Sequence, residues 1–334
     1  MSKTASPSVD AFLARQGLAA SRYVALPGDA SARCYFRLPD HGVLVMDDHT
    51  DPAGFDAFIR LSHHLCELGL SAPRVHAADA EKGIALIEDF GHNTYAECLL
   101  SGDDEEALYQ LAVDALLALH HHPKGINIEA KPYDLATYLD ELDIFSTWFA
   151  PRVASDNFDQ DRFSGAFRQV WQTALGAVSS HKDTLVLRDF HIDNLMILDQ
   201  RQGIARCGIL DFQDAVIGPY VYDLVSLLQD ARRDLSSGLE EKMLDYYIQH
   251  APKDLGGEAV IRKHYALLGA QRHARILGVF LRLQQRDAKP HYLKFLPRVA
   301  RQLETALQSA ECREIKTLLA TALPNWHDKV SAIC

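Results

Sequence analysis

Asp189, Asn194 and Asp211 are the residues of this chain whose types and spacing are best suited to a reaction. They lie in LVLRDFHIDNLMILDQRQGIARCGILDFQDAVIGPYVYDLVSLLQD, residues 185–230. A hydroxyl attacking a terminal phosphate needs a carboxylate to orient it and take its proton. The phosphates need a divalent ion, and Mg²⁺ favours a few oxygen ligands while keeping water and phosphate oxygens for the rest. A D-x-x-x-x-N loop with an Asp-Phe pair one hairpin later supplies Asp189 as the base and Asn194 and Asp211 as Mg²⁺ ligands. Taken singly, these residues would cap turns and end a strand; their ordered combination points to phosphoryl transfer.

Delivering three side chains to one place requires a strand, a tight connection and a second strand. Residues 195–198 are an apolar run, 199–203 a polar turn, and a second apolar run ends at Asp211-Phe212. Upstream, 8–17 reads as a short helix, and 24–26, 34–38 and 43–46 read as strands. The small-residue turn Gly28-Asp29-Ala30-Ser31 either presents backbone N–H groups to phosphate oxygens or is an ordinary hairpin turn. Asp51-Pro52 opens a helix whose Phe55, Phe58, Leu61, Leu65 and Leu68 recur at three- and four-residue steps, so one face is buried. Strands at 73–78 and 83–90 follow, and the break at Glu88-Asp89-Phe90-Gly91 sets the expected boundary between two lobes. An adenine would meet exposed backbone groups at such a hinge. The expected organisation is α+β: a small β-rich lobe over 1–90 and a larger helical lobe over 91–334. The second holds helices at 103–120, 134–149, 163–179, 221–230, 239–249 and 258–283, with 292–308 as the closing pair.

Composition narrows the partners. A chain of 334 residues, 48% hydrophobic and 24% charged, has the balance of a folded globular protein. Its formal net charge of −11 argues against a general nucleic-acid binder, because neutralising phosphate backbones calls for a basic surface. An ATP site remains compatible, since Mg²⁺ and a few local donors decide the field there. Cysteines 34, 66, 98, 207, 312 and 334 form no C-x-x-C pair, which speaks against a zinc site or disulfide framework and for a reducing cytoplasm. No apolar run approaches membrane-spanning length, and the first residues have no signal-peptide core, so a cytoplasmic protein without a membrane partner is expected. Nothing in the pattern speaks to oligomeric state. His120-His121-His122 point in different directions at a helix end and read as a solvated terminus rather than a metal site. Arg262, Lys263, Arg272, His273, Arg275, Arg282 and Arg286 form either a solvated basic face or the lining for an anionic group.

With these residues in view, the chain resembles the aminoglycoside-phosphotransferase and choline-kinase branch of the protein-kinase-like fold. Within it, the chain is most similar to the bacterial anomeric sugar kinases for N-acetylmuramate and N-acetylglucosamine. Four blocks carry the resemblance: Gly28 to Ser31 with Arg33, Tyr35 and Arg37; Arg188 to Asn194; DFQDAVIGPYVYD from Asp211 to Asp223; and Gln271 to Leu283 with Asp287 and Tyr292. The resemblance implies a two-lobed kinase-like fold with ATP between the lobes, Mg²⁺ on Asn194 and Asp211, and Asp189 beside the acceptor hydroxyl. It further implies that Gly28, Ser31 and Arg33 cover the phosphates, that Met46 borders the nucleotide, and that Glu88 and Phe90 meet the adenine. Arg188, His191, Asp193 and Asp214 would then line the acceptor, an amino sugar phosphorylated at its anomeric hydroxyl.

Departures from the kinase pattern are visible. Met46 stands where a phosphate-pairing Lys belongs, so Arg33 or Arg37 becomes the candidate cation. The Glu that would pair with that Lys has only Asp56 and Glu67 as candidates. The catalytic loop opens Leu187-Arg188-Asp189 without a preceding His, so other contacts must hold its backbone. Two alternatives stay open: a kinase for an aminoglycoside or an amino alcohol such as choline, with Asp193, Asp214 and Asp223 as its acids, and a nucleotide-binding regulator without turnover, suggested by Met46.

Overall fold

A computed structural model describes residues 7–27 and 33–333, so Gly28 and Ser31 lie outside the described residues. The chain forms two compact units: Met1–Ile128 with Asp189–Ala215, and Glu129–Arg188 with Val216–Cys334.

The first unit is built on a five-stranded antiparallel sheet. Its strands are β1 (Val24–Ala25), β2 (Cys34–Leu38), β3 (Val43–Asp47), β4 (Val75–Asp79) and β5 (Ile84–Glu88), in the order β1-β2-β3-β5-β4. Register follows the apolar alternation: Phe36 pairs with Val45, and Val45 with Leu86, all three on the buried side. Helix α1 (Pro7–Arg15) lays Val9, Phe12 and Leu13 onto that surface. Helix α2 (Pro52–Glu67) starts as its sequence demands, with the Asp51 carboxylate accepting from the Gly54 N–H at 3.0 Å and Pro52 in the first turn. Its buried Phe55, Phe58, Leu61 and Leu65 each contribute about 1.5–3 kcal/mol by leaving water.

Residues beyond 90 continue this same unit. Helices α3 (Tyr95–Ser101) and α4 (Glu105–His121) begin at Thr94 and Asp104, whose side chains accept from the N–H groups of Glu97 and Ala107. Four short strands come later in the chain: β6 (Thr184–Val186), β7 (Leu195–Ile197), β8 (Cys207–Ile209) and β9 (Val216–Gly218). The β7–β8 hairpin is tied into the first unit by backbone bonds. Ile197 N–H donates to Asn93 C=O at 2.8 Å, and Ile209 N–H donates to Ser71 C=O at 2.7 Å. The break expected at 88–91 therefore lies inside one unit, because the hairpin is hydrogen-bonded to segments on both sides of it.

The second unit pairs β6 with β9 and is otherwise helical. Its helices are α5 (Leu135–Ile144), α6 (Ala150–Val153), α7 (Gln160–Leu175), α8 (Val221–Leu228), α9 (Leu239–His250) and α10 (Gly257–Asp287). They end with α11 (Leu296–Ala306), α12 (Arg313–Ala322) and α13 (Trp326–Val330). Where one helix was expected over 134–149, α5 widens into a π turn at Phe145–Phe149. α10 comes close at this point: a Cβ on its Gly278 would sit 2.5 Å from the Ile144 carbonyl oxygen, so only glycine fits. The expectation that 292–308 closes the chain needs correction. α12 and α13 follow it, each anchored by only two buried residues, Ile315 with Leu319 and Trp326 with Val330. So few anchors leave little periodic signal in sequence. No helix among the described residues is long and apolar enough to cross a membrane.

Candidate active site

The β7–β8 hairpin brings Asp189, Asn194 and Asp211 together. The Asn194 amide nitrogen donates to the Asp189 carbonyl at 3.0 Å and lies 3.4 Å from the Asp211 Oδ2. Backbone bonds lock the loop between them: His191 N–H to Asp189 C=O at 3.1 Å, Asn194 N–H to His191 C=O at 2.9 Å, and Leu210 N–H to Asn194 C=O at 2.9 Å. With Nδ2 turned to these acceptors, Asn194 Oδ1 is the end left for a cation. Two non-glycine residues adopt left-handed backbone here, Arg188 at φ 71° and Asp211 at φ 59°. Such conformations persist only where surrounding contacts over-determine them.

For Arg188 those contacts lie within the second unit. The Asp223 carboxylate, fully buried, accepts from the Leu187 N–H at 2.6 Å and the Arg188 N–H at 2.8 Å. The Arg188 carbonyl accepts from the Ser226 hydroxyl at 3.1 Å, and that hydroxyl accepts from Arg272 at 2.7 Å. This is how the loop before Asp189 is held without a preceding His.

Asp211 is held loosely. Gln213 Nε2 donates to its Oδ1 at 2.8 Å. Crowding by protein atoms pushes its carboxyl above the ordinary carboxylate range even though part of it reaches solvent, and the Asp189 and Asp214 charges add to the rise. Gln213 and Arg33 oppose the shift. A crowded carboxylate with acidic neighbours, 3.4 Å from a side-chain amide, is a group that suits a hard divalent cation.

Arg33, 8% exposed, lies close enough to Asp211 for its charge to be felt there. Its Nε is 2.8 Å from Asp48 Oδ2, and its guanidinium lies 5.6 Å from the Phe58 ring centre. Phe58 stacks on Phe212 at 5.2 Å, so α2 and the Asp-Phe pair are coupled through two rings and a cation. Arg37 does something else. It forms a two-point ion pair with Asp89 at 2.6 and 2.8 Å and reaches the Gly91 carbonyl at 2.8 Å, pinning the turn after β5. Met46 is fully buried, and Asp56 and Glu67 stay at the surface.

Glu88 pairs with Arg201, whose guanidinium lies 5.2 Å from the Phe90 ring centre. The Phe90 ring rests on Gly208, where a Cβ would come within 3.0 Å of it. His191 is buried below the loop; Asp193 and Asp214 are exposed. Four contributors went unread in the sequence: Asp48, Glu141, Gln213 and Ser226. Only Asp48 left a trace, as an acid following a strand; Glu141, which pairs with Arg188, and Ser226 take meaning from partners far along the chain, and Gln213, two residues from Asp211, carries no signal of its own.

The model of the phosphotransferase enzyme family, APH, matches residues 22–264. The chain belongs to the phosphotransferase enzyme family. This phosphotransferase is 35% identical over 351 residues to the N-acetylmuramate/N-acetylglucosamine kinase of Caulobacter vibrioides, with 94% of this chain and 95% of the relative covered. It is 32% identical over 286 residues to the kinase of the same name from Pseudomonas putida, covering 84% of this chain and 81% of the relative. Among solved structures it is similar to a choline/ethanolamine kinase family protein from Mesorhizobium loti, with a TM-score of 0.61, 14% identity, and coverage of 94% and 98% of the two chains. That likeness shows the fold of this family member: α+β and protein-kinase-like, with a β-sheet in its N-terminal part and a largely helical C-terminal part.

Proposed function

We propose that this phosphotransferase moves the terminal phosphoryl group of ATP to the anomeric hydroxyl of an amino sugar, N-acetylmuramate or N-acetylglucosamine. The observation that carries the phosphoryl-transfer reading is the Asn194 amide set between the Asp189 carbonyl and the Asp211 carboxylate. The acceptor is supported by the names of relatives matched over most of the chain. Asp189 orients the hydroxyl and takes its proton, and an anomeric hydroxyl is acidic enough for a carboxylate to do so. Asn194 and Asp211 would hold Mg²⁺, which when bound supplies positive charge to the phosphates. Arg33, braced by Asp48, offers the cation that Met46 does not. Gly28 and Ser31 would cover the phosphates, Glu88 and Phe90 would border the adenine, and Arg188, His191, Asp193 and Asp214 would flank the acceptor.

A coupled ADP-release assay with a panel of sugars and amino alcohols tests this. Release with N-acetylmuramate or N-acetylglucosamine, abolished in Asp189→Asn, is expected. Release with choline or an aminoglycoside alone would replace the acceptor, and tight ATP binding without any release would replace the activity. Arg33→Ala is expected to raise the KM for ATP about tenfold through loss of a charged contact.

A further inference from the structure

We propose that Arg188 and Arg275, braced on Glu141, seat a carboxylate carried by the acceptor, so that N-acetylmuramate, with its 3-O-lactyl acid, is told apart from neutral N-acetylglucosamine. The proposal rests on the sugar-kinase reading above.

Glu141 lies on α5 in the second unit with its side chain 11% exposed. Its Oε1 takes an ion pair from Arg188 and lies 3.5 Å from Arg275 Nε. Its Oε2 accepts from the Tyr133 hydroxyl at 2.6 Å and from Gln271 Nε2 at 3.2 Å. One carboxylate thus gathers two guanidinium groups while its own acceptor capacity is taken up. Arg188 also lies over the Tyr133 ring, 5.5 Å from its centre, which fixes the plane of its fork. The arginine side chains keep 19% and 21% of their surface, so the pair reaches an open edge.

The surroundings are unsatisfied. Arg188 Nε, Gln271 Oε1 and the hydroxyls of Tyr138 and Tyr222 are buried without a hydrogen-bond partner. Native proteins keep few such groups, and each calls for an explanation. Along α10, Arg282 follows Arg275 by two turns on the same face. The nearby Asp287 is engaged by Arg286 at 2.7 and 3.0 Å. In a chain of net charge −11, this edge gathers cations. A planar fork binds a carboxylate through two parallel N–H donors. The chain itself ties this seat to the chemistry, since Arg188 and Asp189 are consecutive and their Cα atoms are about 3.8 Å apart.

The decisive measurement compares N-acetylmuramate with its methyl ester, which keeps the shape and removes the charge. Calorimetry on the wild-type protein is expected to show the acid bound about tenfold tighter than the ester, the worth of one charge-assisted pair. In Arg275→Gln and Arg188→Lys the gap should close to about twofold, and the ratio of kcat/KM for N-acetylmuramate over N-acetylglucosamine should fall to match. Equal binding of acid and ester by the wild type overturns the proposal. So does a loss shared equally by both sugars, or a raised KM for ATP with the sugar ratio unmoved, which would give the anion seat to the nucleotide. ADP release with neither sugar would end the sugar-kinase reading, yet the acid-to-ester comparison would still decide whether the seat exists.

Discussion

Asp211 and Asp223 lie twelve positions apart in the sequence, and the fold treats them in opposite ways. Asp223, in the second unit, is fully buried and answers two backbone N–H groups with its two oxygens. Asp211, in the first, is crowded by other acids, sits on a left-handed backbone and has a carboxyl pushed upward. Asp223 has what it needs within the chain; Asp211, on the reading proposed above, would be stabilised by a cation brought from outside. The anchoring carboxylate and the carboxylate proposed to hold a metal are thereby told apart by environment alone.

That contrast can be broken by mutation. Asp211→Asn should lower kcat roughly a thousandfold, since transition-state charge is no longer offset. The same variant should melt slightly higher at pH 7.5, because a raised carboxyl pKa means the ionised group costs the folded state. As pH falls below the carboxylate range the wild-type group is neutral in both states, and the gain should vanish. Paired melting curves at the two pH values check the sign, and a stability loss at pH 7.5 would show that Asp211 is satisfied after all.

Asp223→Ala should do the reverse for stability. Two buried N–H groups lose their acceptor, costing about 3 kcal/mol in urea unfolding, with kcat down roughly a hundredfold as the loop before Asp189 relaxes. A variant as stable as the wild type would remove Asp223 from its anchoring role.

Acid should act on the second unit through its histidines. Burial holds His264 down to about 4 and His273 to about 3, while in the unfolded chain both sit near 6.5. Stability from the neutral rings is complete above the unfolded value and is lost as pH falls toward the folded ones. Between pH 7 and 5.5 the two together should cost about 2–3 kcal/mol, and His273→Gln should remove about half of that slope. The smallest effect is expected at the ring stack. Phe58→Leu should cost about 1 kcal/mol in stability and weaken Mg²⁺-dependent ATP binding several-fold, read by calorimetry.

Legibility varied with how local the cause was. The cap of α2 was readable because Asp51 acts on an N–H three residues away, and the β7–β8 hairpin because an apolar run, a polar turn and a second run are contiguous. β6 and β9 escaped notice: three residues each, paired across thirty positions, they have no alternation to detect. The π turn at Phe145–Phe149 is no more visible, and the helix that comes close beside it at Gly278 lies more than a hundred residues on. Arg33 and Arg37 were indistinguishable as cations until Asp48 and Asp89 claimed them separately.

The order of Asp189, Asn194 and Asp211 along the chain, the strand and helix periods, and the caps follow from residue types acting on near neighbours, and the sequence alone determined them. Which acid is anchored and which is strained, which arginine stands by Asp211, and which carboxylate gathers Arg188 and Arg275 were decided only by the tertiary structure. Charge and hydrogen bonding act through space, over distances that sequence separation does not measure.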